Sequence, residues 1–249
     1  MLVVEIIDME NEMILLILSG IFYGAVVPGG MFLSNLGLSS YEIAVTTTLV
    51  PSVLFFILSM FKGGILKRKD VKLFVLLGLV NALLLIVWTS SISFGTPISI
   101  VTLLLYTQPI WTLIFGKMFF KEEITKRKII SLAIIISGIL ILVSPWNVKG
   151  NISPIGLILG FLSGLLYSLF LIISKETANR KIHYTTSIFG FSIFTVILLL
   201  IIFPLYRSVV KNDILSRLDM SVIVKNSLKV IIVSIIMRLM PQILLYKSR

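Results

Sequence analysis

Residues 73–116 read LFVLLGLVNALLLIVWTSSISFGTPISIVTLLLYTQPIWTLIFG and contain no charged side chain. A helix that crosses the hydrocarbon core of a bilayer needs about 20 apolar residues, so this stretch is long enough for two crossings joined by the polar turn at 90–95. Uncharged runs also occupy residues 150–174 and 182–206, and residues 13–61 contain one charge, Glu42. The distribution of charge therefore predicts a multi-pass helical membrane protein.

The overall composition leads to the same fold class. Of the 249 residues, 57% are hydrophobic and 13% are charged, and the mean hydropathy is +1.09. A soluble domain usually carries about 25% charged residues, so a soluble protein of this size is excluded. We predict an all-α integral membrane protein, a helical bundle of seven or eight transmembrane helices.

The predicted spans follow the apolar runs and the polar loops between them. The first seven cover residues 13–33, 41–61, 73–89, 96–120, 129–144, 154–174 and 184–206. The first, second and fourth contain internal prolines, Pro28, Pro51 and Pro109. We expect the first and the fourth to be kinked or opened. Residues 230–246 form a possible eighth span that is interrupted by Arg238 and Pro241.

The net charge of +11 indicates orientation and does not indicate a nucleic-acid partner. The loops after spans two, four and six carry thirteen Lys and Arg residues, whereas the loops after spans one, three and five carry one. By the positive-inside rule, the even-numbered loops and the N-terminus are cytoplasmic. We expect a multi-pass protein of the cell membrane.

Two short patterns recur along the chain in the same order. Residues 18–23, LSGIFY, are similar to residues 162–167, LSGLLY, and Tyr41 and Tyr184 each open a threonine-containing span, at offsets of 144 and 143 residues. A repeat that contains five spans inserts its second copy with inverted topology, as in many transporters. Chance matches among common membrane residues are the alternative.

One segment resembles the EamA branch of the drug/metabolite transporter superfamily. Residues 106–125, YTQPIWTLIFGKMFFKEEIT, and residues 135–140, IISGIL, are similar to the end of an EamA unit. The resemblance extends over about residues 13–206. It implies ten helices in two five-helix units around a central cavity, cytoplasmic termini, and export or exchange of small metabolites such as amino acids, sugars or nucleotide sugars.

With this resemblance, we assign residues 13–145 to a first EamA repeat of five helices and residues 154–206 to the start of a second, incomplete repeat. Two complete units with a period of about 144 residues need roughly 290 residues. The tail, residues 207–249, is basic where the orientation rule expects few cations. A gene that is truncated or changes reading frame near residues 207–230 and an irregular eighth helix are the two explanations.

Seven residues are candidates for substrate binding, and all are uncharged. Pro109 lacks an N–H and frees the carbonyl of Leu105, so with Tyr106 and Gln108 it could form an opened segment at a substrate site. Asn81 and Trp88 are seven residues apart on one helix face. Tyr23 and Tyr167 are equivalent in the repeat. For each of them, helix packing or an interhelical hydrogen bond is the alternative.

Other polar or small residues fit structural roles better. Gly156, Gly160 and Gly164 form a small-xxx-small pattern that permits close helix contact. Glu122 and Glu42 each precede or begin a span, and we interpret both as helix caps. His183, the one histidine, lies at a loop edge and is not expected to be a ligand or a catalyst.

These observations favour a transporter of small metabolites, such as amino acids, working as an exporter, facilitator or exchanger. No ionisable residue lies deep inside the first seven spans, and cysteine is absent, so we expect no catalytic residue, no cofactor and no metal. We expect the lipid bilayer and a small-molecule substrate as partners, no nucleic acid, and a homodimer as one option. The alternatives are a non-functional truncated paralogue, a non-transporting scaffold and, less well supported, a membrane enzyme.

Overall fold

A computed structural model describes residues 2–64, 66–147 and 153–247. Within them the chain consists of helices joined by short loops, without a described strand. The helices are α1 (Leu2–Gly24), α2 (Val26–Asn35), α3 (Ser40–Leu58), α4 (Val71–Ser93), α5 (Ile98–Leu105), α6 (Gln108–Phe120), α7 (Lys126–Val143), α8 (Pro154–Asn179), α9 (Tyr184–Val209), α10 (Asp213–Ser216), α11 (Met220–Lys225), α12 (Ser227–Ser234) and α13 (Met240–Lys247).

Eight helical stretches of the described chain are long and apolar enough to cross a membrane. The eighth, Ser227–Leu244, confirms that the tail can supply a further span. In this stretch α12 and α13 are joined by a π-helical turn at Ile235–Leu239. The prediction of an all-α, multi-pass bundle with seven or eight spans is therefore confirmed.

The side chains that face outward are apolar, as a lipid environment requires. Ile134, Ile141, Ile158 and Ile201 are each about 70% exposed. The interior instead contains many hydroxyls, and those of α3 are satisfied locally. Thr46, Thr47 and Thr48 donate to the carbonyl groups four residues earlier at 2.7–2.8 Å, a common arrangement for hydroxyls in helices.

Span one confirms the interruption expected at its proline. α1 ends at Gly24 and α2 begins at Val26, with Ala25 between them. Pro28 has no N–H to donate to the carbonyl of Gly24, four residues earlier, so the regular helical ladder stops there. The first span is therefore built from two helices.

The chain forms two compact units, one comprising Met1–Gly78 with Thr177–Arg249 and the other Leu79–Glu176. In the first unit α3 and α9 pack closely. The Tyr41 hydroxyl of α3 donates to the carbonyl of Leu199, and the Tyr41 ring stacks on Tyr206 with centroids 5.0 Å apart. Gly190 of α9 lies against Phe74, where an added Cβ would meet the ring at 2.6 Å.

The tail packs inside this first unit. Ser19 of α1 donates to the carbonyl of Pro241 at 2.9 Å, and the side chain of Met237 occupies the space beside Gly29. Val230 is buried with Leu33 and Leu38. Residues 207–247 are thus part of the packed structure. The repeat boundaries that we assigned from the sequence remain a prediction.

Glu42 joins the tail to α3. Its carboxylate accepts from the Ser39 N–H at 2.7 Å while the Ser39 hydroxyl accepts from the Glu42 N–H, which confirms the predicted helix cap as a capping box. The same carboxylate accepts from the Asp219 N–H at 2.6 Å and from Arg217 Nε at 3.3 Å. The hydrogen bond between Arg217 and Glu42, and the negative charge of Glu42, raise the pKa of the Arg217 guanidinium.

Candidate functional site

The second unit contains a span that is broken at its centre. α5 ends at Leu105 and α6 begins at Gln108, and Pro109 is in the first turn of α6. The Thr107 N–H and the Thr107 hydroxyl both donate to the carbonyl of Leu104, at 3.1 and 2.7 Å. Span four is therefore interrupted at Tyr106–Thr107, as expected for a kinked span.

The break packs against the glycines of α8. A Cβ added to Gly164 would lie 2.5 Å from Thr107 Oγ1 and 2.7 Å from the carbonyl oxygen of Leu104, and one added to Gly160 would lie 2.8 Å from the Leu104 side chain. A larger residue at Gly164 would therefore collide with the backbone of the break, and one at Gly160 would collide with the Leu104 side chain. The structure thus confirms the close helix contact predicted from the glycine spacing.

The same glycine row holds the end of α4. The Ser91 hydroxyl donates to the carbonyl of Gly156 at 2.6 Å. Gly156 also lies directly against the Thr96 hydroxyl. The three glycines therefore give α8 a face on which the end of α4, the start of span four and its break all approach closely.

A row of polar side chains leads away from the break. Gln108 Nε2 donates to Thr112 Oγ1 at 3.2 Å, and Thr112 Oγ1 lies 2.9 Å from Ser168 Oγ of α8. The Thr112 hydroxyl also lies 3.0 Å from the Gln108 carbonyl oxygen. This row is a polar contact between α6 and α8 in the second unit.

Two indole N–H groups of this unit are buried without a hydrogen-bond partner among the described residues, those of Trp88 and Trp111. The Trp111 ring packs edge-on against Phe161, with centroids 5.4 Å apart. Buried donors are nearly always satisfied in proteins, and each unsatisfied donor needs an explanation. An indole N–H can only donate, so each is suited to an acceptor such as a carbonyl or carboxylate oxygen.

The seven predicted binding residues are divided between the two units. Asn81 and Trp88 lie on α4, Tyr106, Gln108 and Pro109 at the break, and Tyr167 on α8, all in the second unit, while Tyr23 lies on α1 in the first. Gln108 and Pro109 share the first turn of α6. Asn81 is buried and Tyr106 is 45% exposed. Their roles in binding remain a prediction.

The sequence interpretation missed three members of the polar row and its surroundings, Thr112, Ser168 and Trp111. One signal was available for Thr112, since it is four residues after Gln108 and therefore on the same helix face. Ser168 lies next to Tyr167 in the chain, but its contact with α6 depends on tertiary packing. Trp111 gave no signal beyond its residue type.

The structure corrects the predicted role of Glu122. Thr125 is the N-cap of α7, with its hydroxyl accepting from the Lys128 N–H, whereas the Glu122 carboxylate pairs with Lys175 of α8 at 2.6 Å and with Lys128 at 3.2 Å. Hydrogen bonds from these two ammonium groups lower the pKa of the Glu122 carboxyl. The sequence alone could not reveal this ion pair, because Lys175 lies 53 residues after Glu122 and meets it only in the folded structure.

His183 is the N-cap of α9, and its Nδ1 accepts from the Thr185 N–H at 3.4 Å. The prediction that His183 is neither a ligand nor a catalyst stays a prediction. Within the described part of the chain, no three His, Cys or acidic side chains approach closely enough to hold a metal ion.

Comparisons with known proteins place this geometry in context. Residues 11–144 match the model of the EamA-like transporter family. An uncharacterized transporter from Clostridium kluyveri is 23% identical over 238 residues, covering 87% of this chain and 74% of its own length. One crystal structure superposes with a TM-score of 0.60 over 97% of this chain and 85% of its own, at 11% identity, which concerns the fold alone.

Proposed function

Because this chain belongs to the EamA-like transporter family, we propose that it carries small metabolites, such as amino acids or related compounds, across the cell membrane. A multi-pass membrane transporter is the general function of the family. The observation that supports a substrate path in this chain is the break at Tyr106–Thr107, where a span is opened beside a glycine face and a polar row. Irregular backbone at membrane depth is tolerated only against protein or a wet cavity.

The chemistry of the second unit favours a substrate that carries acceptor oxygens. The indole N–H groups of Trp88 and Trp111 can donate to a carboxylate or carbonyl group, and Gln108 can donate or accept. Spans one to seven contain no ionisable side chain deep inside them, so neutral or zwitterionic solutes fit better than ions of high charge. A facilitator or exchanger fits better than a carboxylate-driven proton pump for the same reason.

We propose that Asn81, Tyr106, Pro109 and Tyr167 contribute to this path in the second unit. A binding role for Tyr23, which lies in the first unit, stays a prediction from the sequence repeat. No catalytic step is proposed, since the family comprises transporters and the site offers binding groups only.

Flux into proteoliposomes tests the proposed function. The purified full chain is reconstituted and assayed with a panel of radiolabelled amino acids and related metabolites. We expect saturable uptake of at least one of them and a higher KM for Trp88→Phe, which keeps the ring and removes the N–H. Trp146→Phe is the matched control because Trp146 is exposed at the end of span five. Absence of flux for the whole panel would favour a non-transporting scaffold.

We also propose that the N-terminus is cytoplasmic. The absence of cysteine makes single-cysteine labelling simple. Lys121→Cys, in the loop after span four, should be protected from a membrane-impermeant maleimide in whole cells, whereas Ser34→Cys, between spans one and two, should be labelled. The opposite pattern would overturn the proposed orientation.

A further inference from the structure

The first unit contains a basic cavity that the proposed transport path does not use. Its volume is about 450 Å³, and its polar lining consists mainly of Lys67, Lys69, Asp70, Arg180, Lys181 and Thr186. The volume lies in the range of roughly 300–1,000 Å³ that is usual for small-molecule sites. None of the seven predicted substrate residues lines it.

Two loops that are far apart in sequence meet at this cavity. One precedes α4 and the other connects α8 to α9, and charge asymmetry predicts that both are cytoplasmic. Asp70 is buried and pairs with Arg180 at 3.3 Å, which joins the loops. Thr186 adds a second connection by donating to the Gly64 carbonyl at 3.0 Å.

The backbone after α8 fixes the position of its cations. The Lys181 N–H donates to the Ala178 carbonyl at 2.8 Å and the Ile182 N–H to the Thr177 carbonyl at 3.0 Å, which is a Schellman motif. Lys181 occupies the left-handed position with φ of 52°, where glycine is usual. The motif places consecutive cations, Arg180 and Lys181, at the cavity.

The electrostatics of the cavity favour an anion. Four cationic side chains and one carboxylate line it, which leaves a net charge of +3 with His183 neutral. α9 begins at Tyr184 beside the cavity, and the N-terminal end of a helix adds a partial positive charge. Lys67, Lys69 and Lys181 have no ion-pair partner among the described residues.

We propose that this basic cavity binds a phosphate group. The cations together with the start of a helix are the usual recognition elements for phosphate. Two sources share this chemistry, the headgroup of an anionic lipid in the adjoining leaflet and a free phosphate compound. The site is independent of the proposed substrate path, so its test does not depend on transport.

The test compares two double variants with the same loss of charge. Lys67→Gln with Lys181→Gln removes one cation from each loop of the cavity. Lys121→Gln with Lys126→Gln is the matched control, because Lys121 also has a left-handed backbone, with φ of 55°, and lies in another loop that is predicted to be cytoplasmic. The surface around Lys121 also contains two acids, Glu122 and Glu123, beside Lys117.

The lipid arm measures phosphatidylglycerol bound to the purified full chain by native mass spectrometry, against phosphatidylcholine. A basic residue near an anionic surface strengthens binding about fivefold. The cavity variant loses two such residues, so it should bind phosphatidylglycerol about 30-fold more weakly while the control keeps its binding. The second arm measures the shift in Tm caused by inorganic phosphate at constant ionic strength, and the shift should be lost only in the cavity variant if free phosphate is the source.

Each outcome decides the proposal. Selective loss of lipid binding identifies a headgroup site, and selective loss of the phosphate-induced Tm shift identifies a site for free phosphate. If the cavity variant and the control behave alike in both arms, the cations only set orientation and the proposal is overturned. Far-UV circular dichroism of both variants shows that the comparison is between folded proteins.

Discussion

The contact between Gly164 and the break in span four gives the sharpest prediction. In Gly164→Ala, the new Cβ would lie 2.5 Å from Thr107 Oγ1 and 2.7 Å from the carbonyl oxygen of Leu104. The second of these atoms is backbone and cannot move away by a rotamer change. Either the break or α8 must therefore shift.

The magnitude can be worked out from a matched glycine. Gly138 lies in α7 of the same unit, and an added Cβ there meets nothing within 4 Å. Both substitutions gain about 1 kcal/mol from helix propensity, but only Gly164→Ala has the cost of overpacking, about 1–3 kcal/mol. The two variants should differ by that cost, which at about 2–4 °C per kcal/mol for a chain of this size is a difference in Tm of about 2–12 °C.

The assay is thermal unfolding of both variants in the same detergent, followed by tryptophan fluorescence, with proteoliposome flux as a second measurement. We expect Gly138→Ala to be at least as stable as the wild type and to transport normally. Gly164→Ala should have the lower Tm and reduced flux. Equal Tm values and equal flux for the two variants would refute the close packing of the break on α8.

Three further outcomes are expected. Thr112→Val and Ser168→Ala, combined in a double-mutant cycle, should show a coupling free energy near 0.6 kcal/mol, as interhelical hydrogen bonds in membranes do, and zero coupling would contradict the polar row. Glu122→Gln should lower stability by at most about 1 kcal/mol, since its pairs are exposed. Because the folded pKa of Glu122 is lowered, this difference in Tm should be present at neutral pH and disappear as the pH falls below the ordinary value of 4.5. Arg217→Met should make residues 207–226 more sensitive to limited proteolysis, with Lys211→Met as the control, and equal digestion of the two would show that the tail does not depend on this ion pair.

Covalent geometry explains why the breaks in the spans could be predicted. Proline lacks an N–H wherever it occurs, so Pro28 and Pro109 could be identified from the sequence as candidate interruptions. Proline alone does not decide the outcome, because Pro51 and Pro204 lie inside the continuous helices α3 and α9. Uniform apolar runs likewise predict spans because the bilayer accepts few other structures. The glycine spacing on α8 predicted a close contact for a similarly local reason.

Contacts between distant residues could not be predicted in the same way. The partner of Glu42 is Arg217, 175 residues later, and the partner of Glu122 is Lys175, 53 residues later. Many basic residues were available for both. The convergence of two basic loops on one cavity was hidden too, because the orientation rule already accounted for their charge.

The threonines of α3 have a mechanical consequence. Because Thr46, Thr47 and Thr48 bond to their own helix, α3 carries these hydrogen bonds with it when it moves. Sliding this part of α3 past α9 therefore breaks van der Waals contacts but none of these bonds, whereas Tyr41 is tied to Leu199 at the start of the helix. The hydrogen bonds that resist such a movement therefore lie at one end of α3, where Tyr41 bonds to Leu199 and Glu42 pairs with Arg217.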